Sequence, residues 1–163
     1  MASPSFKKTY TPNEAFERAK KYCAFQERSH SEVRYKLVDL GLRGNDLEQV
    51  MAKLIEEGFL NEERFASAFA GGKFRMKHWG KKKIEQELKR KGVSSYLINK
   101  AMKEIKHDDY KKSLRQLLEK KAASLKEKNI FSKKQKLSNF LIGKGYESQE
   151  VFKSVTDYFQ EQK

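Results

Sequence analysis

The residues of this chain best suited to chemistry are cations. Between residues 71 and 92 lie Lys73, Arg75, Lys77, Lys81, Lys82, Lys83, Lys89, Arg90 and Lys91, opposed only by Glu85 and Glu87. Like charges at neighbouring helical positions repel. Such density therefore points to an acidic partner, with phosphates or carboxylates as the groups to be met. Phe74, Met76 and Trp79 sit among the cations. Phe74 and Trp79 have faces that can stack on unpaired bases, although Trp79, beside Gly80 at a helix junction, reads better as core. Catalytic chemistry finds less support. His30, His78 and His107 are scattered, with no partner at metal-ligand spacing. Cys23 falls on an apolar stripe and reads as a small buried hydrophobe. Asp108 and Asp109 read as helix capping residues rather than a catalytic carboxylate pair. No Gly-rich phosphate loop is present, since Gly71 and Gly72 lack the following Gly-Lys-Ser/Thr context. The reading is a binding protein, not an enzyme, with no metal and no cofactor.

The net charge of +14 is unevenly spread. Residues 1–70 contain 11 Lys and Arg against 11 Asp and Glu, residues 71–106 contain 12 against 3, and residues 107–163 contain 13 against 8. A cationic footprint confined to the middle of the chain is expected of a localised contact surface. The single cysteine excludes an internal disulfide and agrees with a reducing compartment. No window reaches the length and apolarity of a membrane span, so a soluble, cytoplasmic chain is expected, with no membrane partner.

These cations must be positioned by helices. Thr11-Pro12-Asn13-Glu14 and Ser29-His30-Ser31-Glu32 are capping boxes, and Ser132-Lys133-Lys134-Gln135 reads as a third. Apolar residues recur at helical spacing, as in Leu47, Val50, Met51, Leu54 and Ile55. A stripe of Phe65, Phe69, Gly72 and Met76 is expected inward on the helix that Asn61 caps. Asn45 or Asp46 is expected to cap the helix before it, and Gly80 to break or bend the chain. One spacing occurs three times: Val33-x3-Leu37-x3-Gly41, Ile84-x3-Leu88-x3-Gly92 and Leu137-x3-Leu141-x3-Gly145. A left-handed glycine after a helix lets the following residue fold back on the helix's last turn. No strand-like alternation competes. The fold class is all-α: three tandem three-helix repeats in an elongated, curved array. The expected divisions are a disordered tail over 1–11, then repeats over 12–58, 59–106 and 107–163, with the middle one basic.

In this order and spacing the residues resemble the RecX family. The resemblance covers about residues 13–158. It rests on Arg28-Ser29-x-x-Glu32-Val33-x-x-Lys36-Leu37-x-x-x-Gly41 and on Leu54-Ile55-x-x-Gly58-Phe59-Leu60-Asn61-Glu62-x-Arg64-Phe65-Ala66. Its strongest part is Trp79-Gly80-x-x-x-Ile84-x-x-Glu87-Leu88-x-x-Lys91-Gly92-Val93, and Phe140-Leu141-x-x-Lys144-Gly145-Tyr146 closes it. The resemblance implies binding to the RecA recombinase and its DNA filament, with inhibition of recombinase and ATPase activity. It also implies a part in DNA recombination, DNA repair and the SOS response, with DNA binding by the chain itself. Two departures stand out. Asn61 occupies a position where many relatives carry Asp, and Gly71 with Gly72 is expected to loosen the helix that carries Lys73 to Lys77.

Both lines converge on a regulatory protein, acting as a monomer, whose nine cations meet RecA carboxylates or single- or double-stranded DNA. The rival from composition alone is a sequence-nonspecific DNA-binding architectural protein acting without RecA. A third class is an adaptor for another acidic protein.

Overall fold

The computed structural model describes residues 7–163. Of the tail expected over 1–11, residues 1–6 lie outside the described residues. Lys7 pairs with Asp39, and the Tyr10 N–H donates to the Leu40 carbonyl at 3.1 Å. The described residues form helices and no strand. They are α1 (Pro12–Phe25), α2 (His30–Asp39), α3 (Gly44–Glu56), α4 (Glu62–Lys77), α5 (Lys81–Arg90), α6 (Ser95–Lys103), α7 (His107–Ser124), α8 (Ile130–Gly143) and α9 (Ser148–Glu161).

Two capping boxes form as the sequence predicts. Thr11 Oγ1 accepts from the Glu14 N–H at 3.2 Å, and Ser29 Oγ accepts from the Glu32 N–H at 3.2 Å. Each glutamate returns a bond to the cap's own amide. Other boundaries differ from expectation. α3 begins at Gly44 after Arg43, ahead of the expected Asn45 or Asp46 cap. α8 begins at Ile130, with Asn129 Oδ1 accepting from the Ser132 N–H at 3.1 Å, so Ser132 lies inside the helix. Asp108 and Asp109 lie in the first turn of α7, beyond its Lys106 cap, where carboxylates favour the positive helix end without capping it.

The chain divides into two compact units. The first is the chain up to Ala66 together with Lys91–Val93. Its core joins Ala15, Phe16, Ala19 and Cys23 of α1 with Val33 and Leu37 of α2 and Leu47, Val50, Met51 and Leu54 of α3. All three helices pack on one another. Burial raises the Cys23 thiol pKa above its ordinary value, which agrees with an inert core residue.

The second unit is Ser67–Arg90 with Ser94–Lys163. Here α5 packs on α6, while α7, α8 and α9 pack mutually. Ile84, Leu88, Ile98, Leu114, Leu118, Leu137, Leu141 and Val151 are all at most 2% exposed. In α4 the expected inward stripe is corrected. Met76 is 79% exposed, Ala66 and Ala70 are buried, and Phe74 leans on Tyr110 at 6.0 Å between ring centroids. Phe65 is buried as expected, beside Ala66 and Ala70, so the stripe holds at the start of α4 and fails at Met76 in its last turn. α4 passes through Gly71 and Gly72 unbroken.

The chain reverses after α4 at His78, not at Gly80. His78 takes the left-handed φ of 56°, and the Trp79 N–H returns to the Lys73 carbonyl at 3.2 Å. Gly80 is needed for a different reason. A Cβ there would lie 2.2 Å from the carbonyl carbon of Gly145. Gly145 itself has φ 104°, and a Cβ on it would meet the Lys83 Cβ at 2.4 Å. The two glycines let two backbones touch, and no flexible side chain is available to yield. Gly80→Ala therefore lowers the unfolding free energy of the second unit by about 3 kcal/mol. Gly72→Ala, with nothing within 4 Å of the added Cβ, raises it by about 0.5–1 kcal/mol by favouring the helix. Urea unfolding of the two variants beside the parent checks both signs.

Candidate nucleoprotein-contact site

The basic stretch is organised by a helix-to-helix junction inside the second unit. The first N–H groups of a helix have no partner within it. At α5 those groups are met by the closing backbone of α8. The Gly80 N–H donates to the Lys144 carbonyl at 2.8 Å, and the Lys82 N–H to the Gly145 carbonyl at 2.9 Å. Between them, the Lys81 N–H donates to the Tyr110 hydroxyl at 3.0 Å. The positive end of α5 thus abuts the negative end of α8.

A buried polar network supports this junction. The Tyr110 hydroxyl donates onward to Glu147 Oε2 at 2.8 Å. The Tyr146 hydroxyl donates to the His78 carbonyl at 3.1 Å and lies 3.0 Å from Ser113 Oγ. The two tyrosine rings stack at 5.0 Å between centroids. Burial pushes both phenols above their ordinary pKa, and for Tyr110 the Glu147 carboxylate adds to the shift. Both stay neutral and can act as donors at any ordinary pH. The network fixes residues 78–81, and so sets the start of α5.

The nine predicted site cations fare differently. Lys73 and Lys83 place their Nζ atoms 4.9 and 4.4 Å from the Trp79 ring, one from α4 and one from α5. Trp79 is half-buried, edge-on to Phe69; it is a platform holding two lysines. Lys81 lies 4.8 Å from the Tyr110 ring. The Arg75 guanidinium folds back along α4 onto Gly71. Lys77 and Lys82 are exposed, with no ion pair or ring contact among the described residues. Lys89 pairs with Glu85 at 2.9 Å and Arg90 with Glu87 at 3.1 Å, both within α5. Lys91 falls in the first unit, where it pairs with Glu32 at 2.8 Å.

Electrostatics separates these groups further. Lys89 and Arg90 lie in the last turn of α5, where the helix dipole favours cations. Their position and partners have a structural explanation. Lys81, Lys82 and Lys83 lie in the first turn of the same helix, with no acidic residue there. That placement is unfavourable by about 0.3–1 kcal/mol per charge. The carbonyls at the end of α8 and the two rings offset part of it, but Lys82 has no ring beside its side chain. A charge in an unfavourable place, with neither a carboxylate nor a ring beside it, is the kind expected where a partner supplies the counter-charge.

The sequence reading missed Tyr110, Ser113 and Glu147, which lie outside the stretch and enter it only through the fold. It also missed Lys112 of α7, which with Phe74, Arg75 and His78 lines a cleft of about 270 Å3. Its signal was present but diluted, since residues 107–163 carry a further +5 spread along three helices. Among the described residues no group of three or more His, Cys, Asp or Glu is placed to hold a metal ion. None of their helices is long and apolar enough to cross a membrane.

Tandem three-helix domains with a cationic turn between α4 and α5 define an all-α helical-repeat protein with a locally basic surface. Comparison with known proteins makes the class specific. The family model for the second three-helix domain of RecX matches residues 61–102, and that for the third matches 106–154. The regulatory protein RecX of Escherichia coli is 30% identical over 154 residues, covering 86% of this chain and 91% of its own. That of Pelodictyon phaeoclathratiforme is 36% identical over 126 residues, covering 76% and 77%. The crystal structure of RecX from Lactobacillus salivarius superposes with a TM-score of 0.81 at 20% identity, covering 90% of this chain and 95% of that one. The chain belongs to the RecX family of regulatory proteins.

The tyrosine network has a measurable signature. A phenol whose folded pKa lies above its unfolded value of 10 contributes stability that is fully present below pH 10. Above that pH the unfolded state sheds protons that the folded state retains, so stability falls as pH rises. Tyr110→Phe removes one such group and leaves the Lys81 amide and Glu147 unpaired, at a cost of about 1–3 kcal/mol near neutrality. Urea midpoints between pH 8 and 11 are expected to fall steeply for the parent and less steeply for this variant.

Proposed function

We propose that this chain binds the RecA recombinase on its DNA filament and restrains filament growth or strand exchange, lowering recombinase and ATPase activity. The reading places it in DNA recombination and repair and in the SOS response, within the cytoplasm. One observation carries it: in a RecX-family chain, the turn from α4 to α5 holds a cluster of lysines at an electrostatically unfavourable helix start, and Lys77 and Lys82 there have no partner among the described residues. Lys73, Lys81 and Lys83 are held on aromatic rings, which limits their freedom and lowers the entropy lost on contact. The contacts offered are charge-to-phosphate and charge-to-carboxylate. They confer position and affinity without base sequence preference.

In this reading Lys89, Arg90 and Lys91 contribute less, because each already has a carboxylate partner. Exchanging a partner returns less free energy than satisfying a bare charge. The experiment is a DNA-dependent ATPase and strand-exchange assay with the cognate RecA. The parent is expected to depress both activities. The double variant Lys77→Glu, Lys82→Glu is expected to weaken filament binding at all DNA sequences and to reduce the salt slope of binding by about one per lost phosphate contact. Lys89→Ala with Arg90→Ala is expected to act weakly. No effect of the parent on RecA, combined with tight DNA binding, would instead favour the architectural DNA-binding reading.

A further inference from the structure

The first unit is close to neutral over its sequence, with 12 Lys and Arg against 11 Asp and Glu, yet it contains a cationic groove. The N-terminal arm lies along the end of α2, held by the Lys7–Asp39 pair and by the Tyr10 amide on the Leu40 carbonyl. The Thr9 side chain packs against Gly41, where any Cβ would meet it at 2.9 Å. Between the arm and α2 runs a groove of about 520 Å3, lined by Lys7, Lys8, Tyr35, Val38, Asp39 and Arg43. Its single carboxylate is already paired with Lys7, so Lys8, whose Nζ lies 5.1 Å from the Tyr10 ring, and Arg43 keep their charge uncancelled there. Arg43 Nη1 donates to the Val38 and Leu42 carbonyls at 2.8 and 2.7 Å. Those bonds fix the guanidinium and leave Nε and Nη2 without a hydrogen bond among the described residues.

Tyr35 stands at the edge of this groove, 77% exposed. Five of the chain's seven tyrosines have a ring or cation contact: Tyr10, Tyr22, Tyr110, Tyr146 and Tyr158. Tyr35 and Tyr96 have none among the described residues, and of these two only Tyr35 borders a cationic groove. A bare aromatic face on a rigid helix, next to two cations in excess, matches what an unpaired base and its phosphates require. The base stacks, and the neighbouring phosphates meet the cations.

We propose that the groove between the N-terminal arm and α2 is a contact site for single-stranded nucleic acid, with Tyr35 as the stacking platform and Lys8 and Arg43 as phosphate contacts. Duplex DNA has its bases stacked away and cannot use Tyr35. The carboxylates of an acidic peptide would gain from the cations but make no use of an aromatic face. The site is separate in residues and in unit from the lysines of α4 and α5, so it stands or falls independently of any effect on RecA.

The test uses the full chain without recombinase and a labelled oligothymidylate of about 16 nucleotides. Tyr35→Ala is expected to weaken binding by roughly 5- to 100-fold with the salt slope unchanged, since stacking releases no counterion. Tyr35→Trp is expected to retain the affinity. Lys8→Ala and Arg43→Ala are each expected to lower the salt slope by about one. Circular dichroism confirms that each variant is folded. Parent-like affinity in Tyr35→Ala, or an equal loss on duplex DNA, would overturn the proposal. So would a variant that keeps oligothymidylate but loses an acidic peptide.

Discussion

The contact on which the second unit depends is backbone against backbone. Gly80 and Gly145 approach so closely that neither position tolerates a Cβ, and the approach lets the closing carbonyls of α8 satisfy the opening amides of α5. Two helix ends, each with unmatched polar groups and a partial charge, are thereby matched in hydrogen bonding and in sign. Everything about the basic stretch follows from this. The junction sets where α5 starts, and Tyr110 and Tyr146 fix the loop that leads into it.

The same junction explains how three lysines can occupy a helix start that ought to repel them. The field they feel is not that of an isolated helix, because the negative end of α8 lies against it. Aromatic faces at Trp79 and Tyr110 take two of the lysines further. The arrangement holds cations in place without neutralising them with carboxylates. A salt bridge would have fixed Lys81 and Lys83 equally well, but it would have cancelled the charge. An aromatic face holds an ammonium and leaves its charge available to a partner.

Much of the scaffold was legible in the sequence, because it rests on local rules. Capping boxes at Thr11 and Ser29, left-handed glycines at 41, 92 and 145, and leucines four residues before them act within one helix and its turn. Boundaries were less legible where several residues could cap, as at Asn129 and Ser132 or at Arg43 and Asn45. The stripe of α4 holds at Phe65 and fails at Met76, because period alone does not say where along a helix its packing surface ends.

For the site, the sequence by itself determined which cations exist and that they concentrate in the middle of the chain, since composition and spacing are properties of the linear string. It also determined the repeated helix–turn pattern by which the family is recognisable. Only the tertiary structure decided which of those charges are spoken for. Lys89, Arg90 and Lys91 find carboxylates, Lys73, Lys81 and Lys83 find rings, and Lys77 and Lys82 find neither. It also decided that a stretch with balanced charge could hold a cationic groove beside Tyr35. The reason is that charge compensation depends on distance in space. Acids that cancel lysines in a count screen them only when the fold brings them within a few ångströms.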